Sequence, residues 1–228
     1  MSDSPAFRTL AARSNFYFVR HGESEANRRR VIQGHSDSPL SRKGKRHARA
    51  AGRWLKKRRI GAIFASPLSR SLETARVISR VTGAPAPVVL DELKELDTGI
   101  YSGRNLDEAA KEDPDAFKSF LLHSWEAVDG AERTDSLLAR ALRVWDRLIA
   151  ESNAGTHELV CVTHGGMLQW IIKATMVCEA QRWMPVFGAA NCGISYFTAH
   201  STSLDYQDPL PPNTGYFGNW EKINLVPY

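Results

Sequence analysis

Three short apolar runs in this chain of 228 residues are each followed at once by polar residues and then by a helix-like pattern. The runs have the length and content of buried strands, and they lie at residues 16–20, 60–65 and 159–163. Apolar residues at helical spacing predict four helices, at residues 41–58, 68–81, 134–150 and 167–176. Strands that alternate with helices pair in parallel, so this order predicts an α/β fold, a three-layer sandwich with a mainly parallel central sheet.

Weaker patterns complete the outline. Ser41 is placed to cap the first helix, and Gly83 to end the second. Further strands are predicted at residues 88–90, 194–198 and 220–225. Residues 104–132 are richer in acidic and aromatic side chains, and we expect them to form a small helical insertion rather than part of the sandwich. The chain length suits one domain, residues 1–228, that carries this insertion.

The composition favours a cytoplasmic protein. The first residues lack the apolar segment of a secretory signal, and no run approaches the roughly 20 apolar residues of a membrane span. Cys161, Cys178 and Cys192 show neither a C-x-x-C pattern nor metal-ligand spacing. We therefore expect reduced thiols, no membrane partner and no metal site.

Positive charge is concentrated early in the chain. Residues 1–60 hold 16 of the 30 Lys and Arg residues and 4 of the 25 Asp and Glu residues, a net charge of +12. Dense basic patches can neutralise nucleic-acid phosphates, but no aromatic single-strand platform or recognised binding motif accompanies them. We expect a solvated helix face and a field that attracts a small anion, and we do not favour a nucleic-acid partner. The oligomeric state stays open.

Polar residues stand where three of the predicted strands end. Arg20 and His21 follow the first strand, Arg70 comes shortly after the second, and His164 follows the third. Ligands of such sheets bind beyond the carboxyl ends of the strands, so these side chains are expected at one edge. A single His or Arg in such a position is more often structural. It is the convergence of three distant segments that indicates a functional site.

Two arginines and two histidines around one point suit a dianionic group, and a phosphoryl group fits best. The planar fork of arginine matches phosphate oxygens and stays charged at any working pH. Gly22 and Gly165, after the histidines, let backbone amides approach an anion. A neutral imidazole can also attack phosphorus and form a phosphohistidine. Because the arginines supply charge stabilisation, neither a metal nor another cofactor is expected.

Three blocks of sequence carry a resemblance to a known family. The first comprises RHGES at residues 20–24, Asn27, and QGHSDSPLS at residues 33–41; the others are SPLSRSLETA at residues 66–75 and THGG at residues 163–166. In this order and spacing they resemble the histidine phosphatase superfamily, the phosphoglycerate mutase-like proteins. The resemblance extends from about residue 15 to residue 200, and it implies the fold of that family.

The resemblance implies a role for each matching position. His21 matches the catalytic nucleophile that becomes phosphorylated, and Glu95 matches the proton donor. A carboxyl group at the rim of the pocket could protonate the leaving alkoxide and later take a proton from water. Because Asp91, Glu92 and Asp97 lie close by, a merely charged loop is the alternative explanation for Glu95. The rest of the pocket is implied to be Arg20, Asn27, Arg70 and the catalytic His164, beside the phosphate-binding Gly165.

Departures from the family pattern bear on the reaction. Ser102 stands where many members have a second Glu, and Gln169 stands where many have an Arg. The mutase branch has a basic, aromatic, proline-containing stretch that holds a bisphosphate, whereas the insertion here is acidic and apolar. Without such a stretch to hold a bisphosphate, a phosphohistidine should lose its phosphoryl group to water. This favours a phosphatase over a mutase.

Three functions are therefore weighed. The first is a metal-independent phosphatase that hydrolyses a small phosphomonoester and releases inorganic phosphate. The alternatives are a phosphoglycerate-type mutase and a catalytically inert phospho-ligand-binding protein, and the presence of all six matched residues argues against the inert protein. The natural substrate and pathway stay open. We expect the apolar side chains of the insertion to form its inner face rather than a substrate cage: Phe117, Phe120, Leu121, Leu122 and Trp125.

Overall fold

The computed structural model describes residues 5–176, 187–201 and 216–228. It has a six-stranded sheet, with strands β1 (Ser14–Arg20), β2 (Ala62–Ala65), β3 (Val88–Val89), β4 (Glu158–Thr163), β5 (Ile194–Ser201) and β6 (Tyr216–Leu225). Their order across the sheet is β3-β2-β4-β1-β5-β6. The first four strands pair in parallel, and β5 and β6 are antiparallel additions at one side. The predicted mainly parallel sheet is confirmed.

Helices connect and cover the strands. They are α1 (Glu25–Arg28), α2 (Arg42–Leu55), α3 (Ser69–Thr82), α4 (Leu106–Glu112), α5 (Pro114–His123), α6 (Thr134–Asn153) and α7 (Gly165–Lys173). Short 3-10 segments lie at Phe7–Thr9, Lys56–Arg58, Asp91–Leu93, Gly99–Tyr101 and Ser124–Ala127. Within the described residues, no helix is both long and apolar enough to cross a membrane.

Both faces of the sheet are buried, which makes three layers. Successive side chains of a strand point to opposite faces, so Phe16 and Phe18 of β1 pack on one side with Trp145 of α6. On the other side, Val19 belongs to a second cluster with Ala48 of α2 and residues of α3. The expected sandwich is therefore confirmed.

Local sequence explains where α2 and α3 begin and end. Ser41 caps α2, its Oγ accepting a hydrogen bond of 3.0 Å from the Gly44 amide. The two helices approach closely at Gly52, where a Cβ atom would lie 2.8 Å from Cβ of Val81. Helix α3 ends at Gly83, whose φ of +79° lies in the left-handed region that favours glycine.

The predicted insertion contains α4, α5 and a 3-10 turn around an apolar cluster of its own. Phe120 is buried there beside Tyr101, and Phe117 and Trp125 pack against them. The expectation of an inward-facing apolar set is wrong for two adjacent side chains. They are Leu121 and Leu122, which are 54% and 60% exposed. Part of the apolar sequence of helix α5 therefore faces outward and does not join the cluster.

Two of the three cysteines lie within the described residues. Cys161 and Cys192 are buried and unbridged, and burial raises the pKa of the Cys192 thiol to about 12. Cys178 lies outside the described residues. Both visible thiols are therefore neutral packing groups, in line with the expected reduced state.

Candidate active site

The sheet register brings three chain segments to one edge. Arg20, the last residue of β1, pairs with Thr163 of β4, and Ala65 of β2 pairs with Val162. A cavity of about 210 Å³ lies at this edge. Its polar lining includes five of the seven residues predicted for the site: Arg20, His21, Asn27, Arg70 and Glu95. Its apolar lining includes Val31, Ile32, Leu96 and Trp125.

The geometry around His21 defines the state of its ring. The side chain is buried, and Nδ1 lies 2.7 Å from the carbonyl oxygen of Gly22. A carbonyl oxygen only accepts, so Nδ1 carries the proton and Nε2 keeps its lone pair. Burial lowers the pKa of His21 well below its usual value, and the positive charges of Arg20 and Arg70 lower it further. His21 is therefore a neutral imidazole with a free nitrogen.

His164 lies beside His21, with 5.0 Å between the two ring centroids. It is fully buried and does not belong to the cavity lining. Its Nε2 is 2.8 Å from Oγ of Ser66, while Nδ1 has no partner among the described residues. Burial, together with His21 and the arginines, lowers the pKa of His164 well below its usual value. Ser66, which sequence reasoning left out of the site, therefore orients this ring.

Arg70 is almost fully buried and is held by the loop of residues 33–36. Its Nη1 and Nη2 donate to the carbonyl oxygens of Ser36 and Gly34, both at 2.8 Å. Burial lowers the pKa of Arg70. Its Nε has no acceptor among the described residues. A buried cation that is fixed by neutral carbonyls keeps its charge available for an anion.

Arg20, in the same cavity, has a similar arrangement. Its Nη1 donates to the carbonyl oxygen of Ala189 at 2.5 Å, and its Nε also lacks an acceptor within the described part of the chain. Burial lowers the pKa of Arg20 as well. Two guanidinium groups therefore lie near one neutral imidazole, and each has an Nε–H group without an acceptor among the described residues.

The loop that holds Arg70 depends on Gly34. This glycine has a φ of +48°, and a Cβ atom there would collide with the side chains of Thr98 and Ser102. Ser102, which stands at the position of a family glutamate, lies 3.0 Å from Oγ1 of Thr98 and donates to the Gln33 carbonyl oxygen at 3.3 Å. The residue at this position therefore supports the loop rather than adding a carboxylate.

Asn27 is fixed by a residue from far along the chain. Its Oδ1 accepts hydrogen bonds from the Ser24 amide at 3.2 Å and from Nδ2 of Asn191 at 3.3 Å. Asn191 also donates to the His21 carbonyl oxygen at 3.1 Å. With Oδ1 occupied, the amide group of Asn27 has donors left for the cavity. Sequence reasoning missed Asn191, which precedes β5 in no recognisable motif.

Glu95 lies on the turn that follows the 3-10 segment Asp91–Leu93. Its carboxylate accepts hydrogen bonds from the amides of Met167 at 2.9 Å and Gly166 at 3.2 Å, at the N-terminus of α7. The Leu96 amide adds a contact of 3.0 Å. The carboxyl group is thereby held in the same cavity as His21.

Gly165, predicted to bind phosphate, lies beside Arg20 and outside the cavity lining. Gly166, not Gly165, lines the cavity. Gly165 faces the guanidinium of Arg20, where a Cβ atom would lie 3.4 Å from Nε. Gln169, at the position of a family arginine, bonds both backbone groups of Phe187. It therefore anchors the segment before β5.

The basic runs lie mostly on the surface. The side chains of Arg28, Arg29 and Arg30 are exposed, and so are those of the run from Lys56 to Arg59. Across residues 5–176, 187–201 and 216–228, no three His, Cys, Asp or Glu side chains are grouped to hold a metal ion. The charge at the bottom of the cavity is supplied instead by the two buried arginines.

Comparison with known proteins agrees with this geometry. The family model of the histidine phosphatase superfamily (branch 1) matches residues 16–207. Phosphoglycerate mutase-like protein 4 of Arabidopsis thaliana is 36% identical over 155 residues, which are 66% of this chain and 66% of that protein. The metal-independent phosphoserine phosphatase of the same plant is 34% identical over 166 residues, 71% of this chain and 69% of that protein. The chain thus spans about two thirds of the length of these relatives.

Solved structures share the fold. A mycobacterial glucosyl-3-phosphoglycerate phosphatase superposes with a TM-score of 0.77 over 93% of this chain and 99% of that chain, at 24% identity. Bacillus stearothermophilus YhfR superposes with a TM-score of 0.67 over 80% of this chain and 90% of that chain, at 28% identity. The first of these likenesses concerns the fold alone.

Proposed function

The chain belongs to the histidine phosphatase superfamily, and on that premise we propose that it is a metal-independent phosphatase that hydrolyses a small phosphomonoester through a phosphohistidine on His21. The observation that carries the proposal is the state of that imidazole. His21 is neutral, has a free Nε2, and shares a cavity with two arginines and a carboxyl group. A neutral imidazole between buried cations is suited to attack a phosphorus atom whose oxygens those cations bind.

The first step transfers the phosphoryl group to the enzyme. The lone pair of His21 Nε2 forms a bond to phosphorus while the bond from phosphorus to the leaving oxygen breaks. Arg20 and Arg70 bind the phosphoryl oxygens through their guanidinium N–H groups, of which each Nε has no acceptor among the described residues. Glu95, protonated, gives its proton to the leaving alkoxide, so that the product departs as an alcohol. The Nδ1–H bond to Gly22 stabilises the charge that develops on the ring.

The second step returns the enzyme to its starting state. A water molecule attacks phosphorus, and the Glu95 carboxylate takes one of its protons. The bond between Nε2 and phosphorus breaks, inorganic phosphate leaves, and His21 is again a neutral imidazole. Asn27 adds a contact to the phosphoryl oxygens, since its Oδ1 is already occupied and its amide donors remain. His164, whose ring is oriented by Ser66, completes the buried side of the site.

The cavity lining suggests what the substrate carries beyond its phosphate. Among the described lining residues, the cations are Arg20 and Arg70, and both flank His21. A second anionic group on the substrate would face apolar side chains such as Ile32, Leu96 and Trp125 without a counter-charge, which is costly. We therefore favour a phosphate on an uncharged, partly apolar body. This also disfavours a mutase that must hold a bisphosphate.

The compartment and partners follow from the same proposal. We propose that the protein acts in the cytoplasm on a small phosphorylated metabolite, and that inorganic phosphate is its product. The two described cysteines are free thiols, which suits a reducing compartment. Neither a membrane nor a nucleic acid is required by this activity.

The test is turnover of a generic aryl phosphate by His21→Ala. We expect wild-type activity to be insensitive to EDTA and the variant to be inactive with an unchanged circular dichroism spectrum. His157→Gln, at the opposite edge of the sheet, is the matched control and should keep its activity. Turnover by His21→Ala would refute the nucleophile.

A screen of phosphorylated metabolites separates the remaining functions. Each compound is assayed for free phosphate and for an isomerised product. Free phosphate supports the phosphatase, whereas an isomer would identify a mutase. Binding of phosphate by wild type without any turnover would identify an inert phospho-ligand-binding protein.

A further inference from the structure

The turn that carries Glu95 is held by a buried arginine of α6. Arg140 donates through Nη1 to the carbonyl oxygens of Glu92 at 3.1 Å and Lys94 at 2.6 Å. Its Nη2 lies 3.4 Å from the carbonyl oxygen of Glu95 itself. These carbonyls lie at the end of the 3-10 segment Asp91–Leu93 and in the turn after it, so a side chain supplies donors that a continuing helix would otherwise provide. One guanidinium therefore contacts the carbonyl oxygens of three of the four residues 92–95.

The same guanidinium is paired with a carboxylate at the end of the insertion. Arg140 Nε donates to Glu132 Oε1 at 3.0 Å, and Nη2 donates to Oε2. The two side chains are only 10% and 15% exposed. The Glu132 amide also donates to the carbonyl oxygen of Asp97 at 3.0 Å. The pair therefore holds both ends of the turn, residues 92–97, against the long helix α6.

We propose that Arg140 is a positioning residue for Glu95. The inference rests on the proposed proton transfers of Glu95 and gives a role to a residue outside the lining of the cavity that contains His21. Helix α7 holds the carboxylate. Arg140 of α6 holds the backbone that carries it, together with His35, whose Nε2 lies 2.8 Å from the Glu95 carbonyl oxygen. A general acid must lie within hydrogen-bond reach of the leaving oxygen, so a small shift of this turn lowers the rate of proton transfer.

Lysine cannot replace arginine in this role. The fork of Arg140 donates in two directions at once, toward Glu132 on one side and toward the backbone carbonyls on the other. A lysine ammonium is a single point that cannot span both groups. Arg140→Lys therefore keeps the buried charge and its partner Glu132 while releasing part of the turn. Arg143→Lys is a matched control, since Arg143 lies on the same helix, is exposed and, within the described part of the chain, pairs with the carboxylate of Glu92 at 3.9 Å rather than with backbone carbonyls.

The kinetic test compares two substrates. Arg140→Lys should lose roughly tenfold in kcat/KM, which reports the first step without the shared hydrolysis of the phosphohistidine, on an alkyl phosphate whose leaving group needs a proton. The loss in kcat/KM on 4-nitrophenyl phosphate should be less than about twofold. In a Glu95→Gln background the same substitution should cause no further loss on the alkyl phosphate. Equal losses on both substrates would mean a general effect on folding and would overturn the proposal.

Hydrogen exchange provides a readout that is independent of turnover. The amides of Gly166 and Met167 donate to Glu95, so they should exchange faster in Arg140→Lys and stay protected in Arg143→Lys. Unchanged protection at these amides in Arg140→Lys would refute the positioning role. If wild type hydrolyses no phosphomonoester, the proposed function fails, while the exchange result still decides what holds Glu95.

A second variant covers the case in which Arg140→Lys does not fold. Arg140→Met combined with Glu132→Met removes the buried pair together and leaves no unpaired charge. We expect the same loss of protection at Gly166 and Met167 in this double variant. Wild-type protection at those amides in the folded double variant would equally overturn the proposal.

Discussion

Acid should destabilise this protein through its two active-site histidines. Burial lowers the pKa of His21 and of His164 well below the usual value of 6.5, so both stay neutral in the folded protein. In the unfolded chain they take up protons below about pH 6.5. The unfolded state then binds more protons than the folded state, and the free energy of unfolding must fall as the pH falls.

The size of the effect follows from linkage. Each histidine that is neutral when folded and free to titrate when unfolded lowers stability by about 1.4 kcal/mol per pH unit below pH 6.5, or about 2 kcal/mol at pH 5. The pair should therefore contribute about 4 kcal/mol of acid destabilisation at that pH. A change of this size is a large fraction of the net stability of a typical domain.

The assay is urea unfolding at a series of pH values in buffers without phosphate, since a bound anion would add its own stabilisation. Wild type is compared with the double variant His21→Gln/His164→Gln, so that the titration of other groups cancels. The variant should lose less stability between pH 7.5 and pH 5, by about 4 kcal/mol. Equal pH dependence in the two proteins would show that the histidines are not held neutral and would refute the nucleophile state argued above.

Three further predictions concern the cavity. Arg70→Lys should weaken competitive inhibition by orthophosphate roughly tenfold, because the donors of an ammonium sit on one nitrogen and cannot span the Ser36 and Gly34 carbonyls and an anion as the guanidinium does; unchanged inhibition would contradict this. Trp125→Ala should lower kcat/KM on an aryl phosphate about tenfold and leave glycerol phosphate nearly unaffected, whereas the exposed Leu122→Ala should change neither. Gly34→Ala should cost about 1–3 kcal/mol in urea unfolding, since its positive φ and its close neighbours exclude a Cβ atom; a stable variant would argue against this.

Much of the fold could be predicted because its signals are local. Helix α2 begins, and helix α3 begins and ends, within one residue of the prediction, since Ser41 and Gly83 act on the backbone beside them, whereas α2 ends three residues early. The strands were placed by runs of apolar residues buried on both faces. The prediction was less accurate in α5, because its apolar residues do not all lie on one buried face. Leu121 and Leu122 are exposed to solvent.

The residues of the site also differ in whether a local sequence pattern could predict them. Arg20 ends a strand and His21 and His164 directly follow strands, so the expected parallel pairing was enough to place them at one edge of the sheet. Asn191 could not be found in this way, because its contact with Asn27 joins residues 164 positions apart. The same holds for Arg140, which meets the Glu95 turn across 45 positions. Gly165 and Gly166 are adjacent, and only the start of α7 decided which one lines the cavity.

The sequence by itself therefore determined the elements, their order and the chemical groups at the ends of three strands. Those features depend on backbone preference and on the periodicity of apolar residues, which act over a few positions. Only the tertiary structure decided the protonation state of His21, the carbonyls that hold Arg70 and the support beneath Glu95. Burial, charge and hydrogen-bond geometry arise when distant segments pack together, and no local pattern records them.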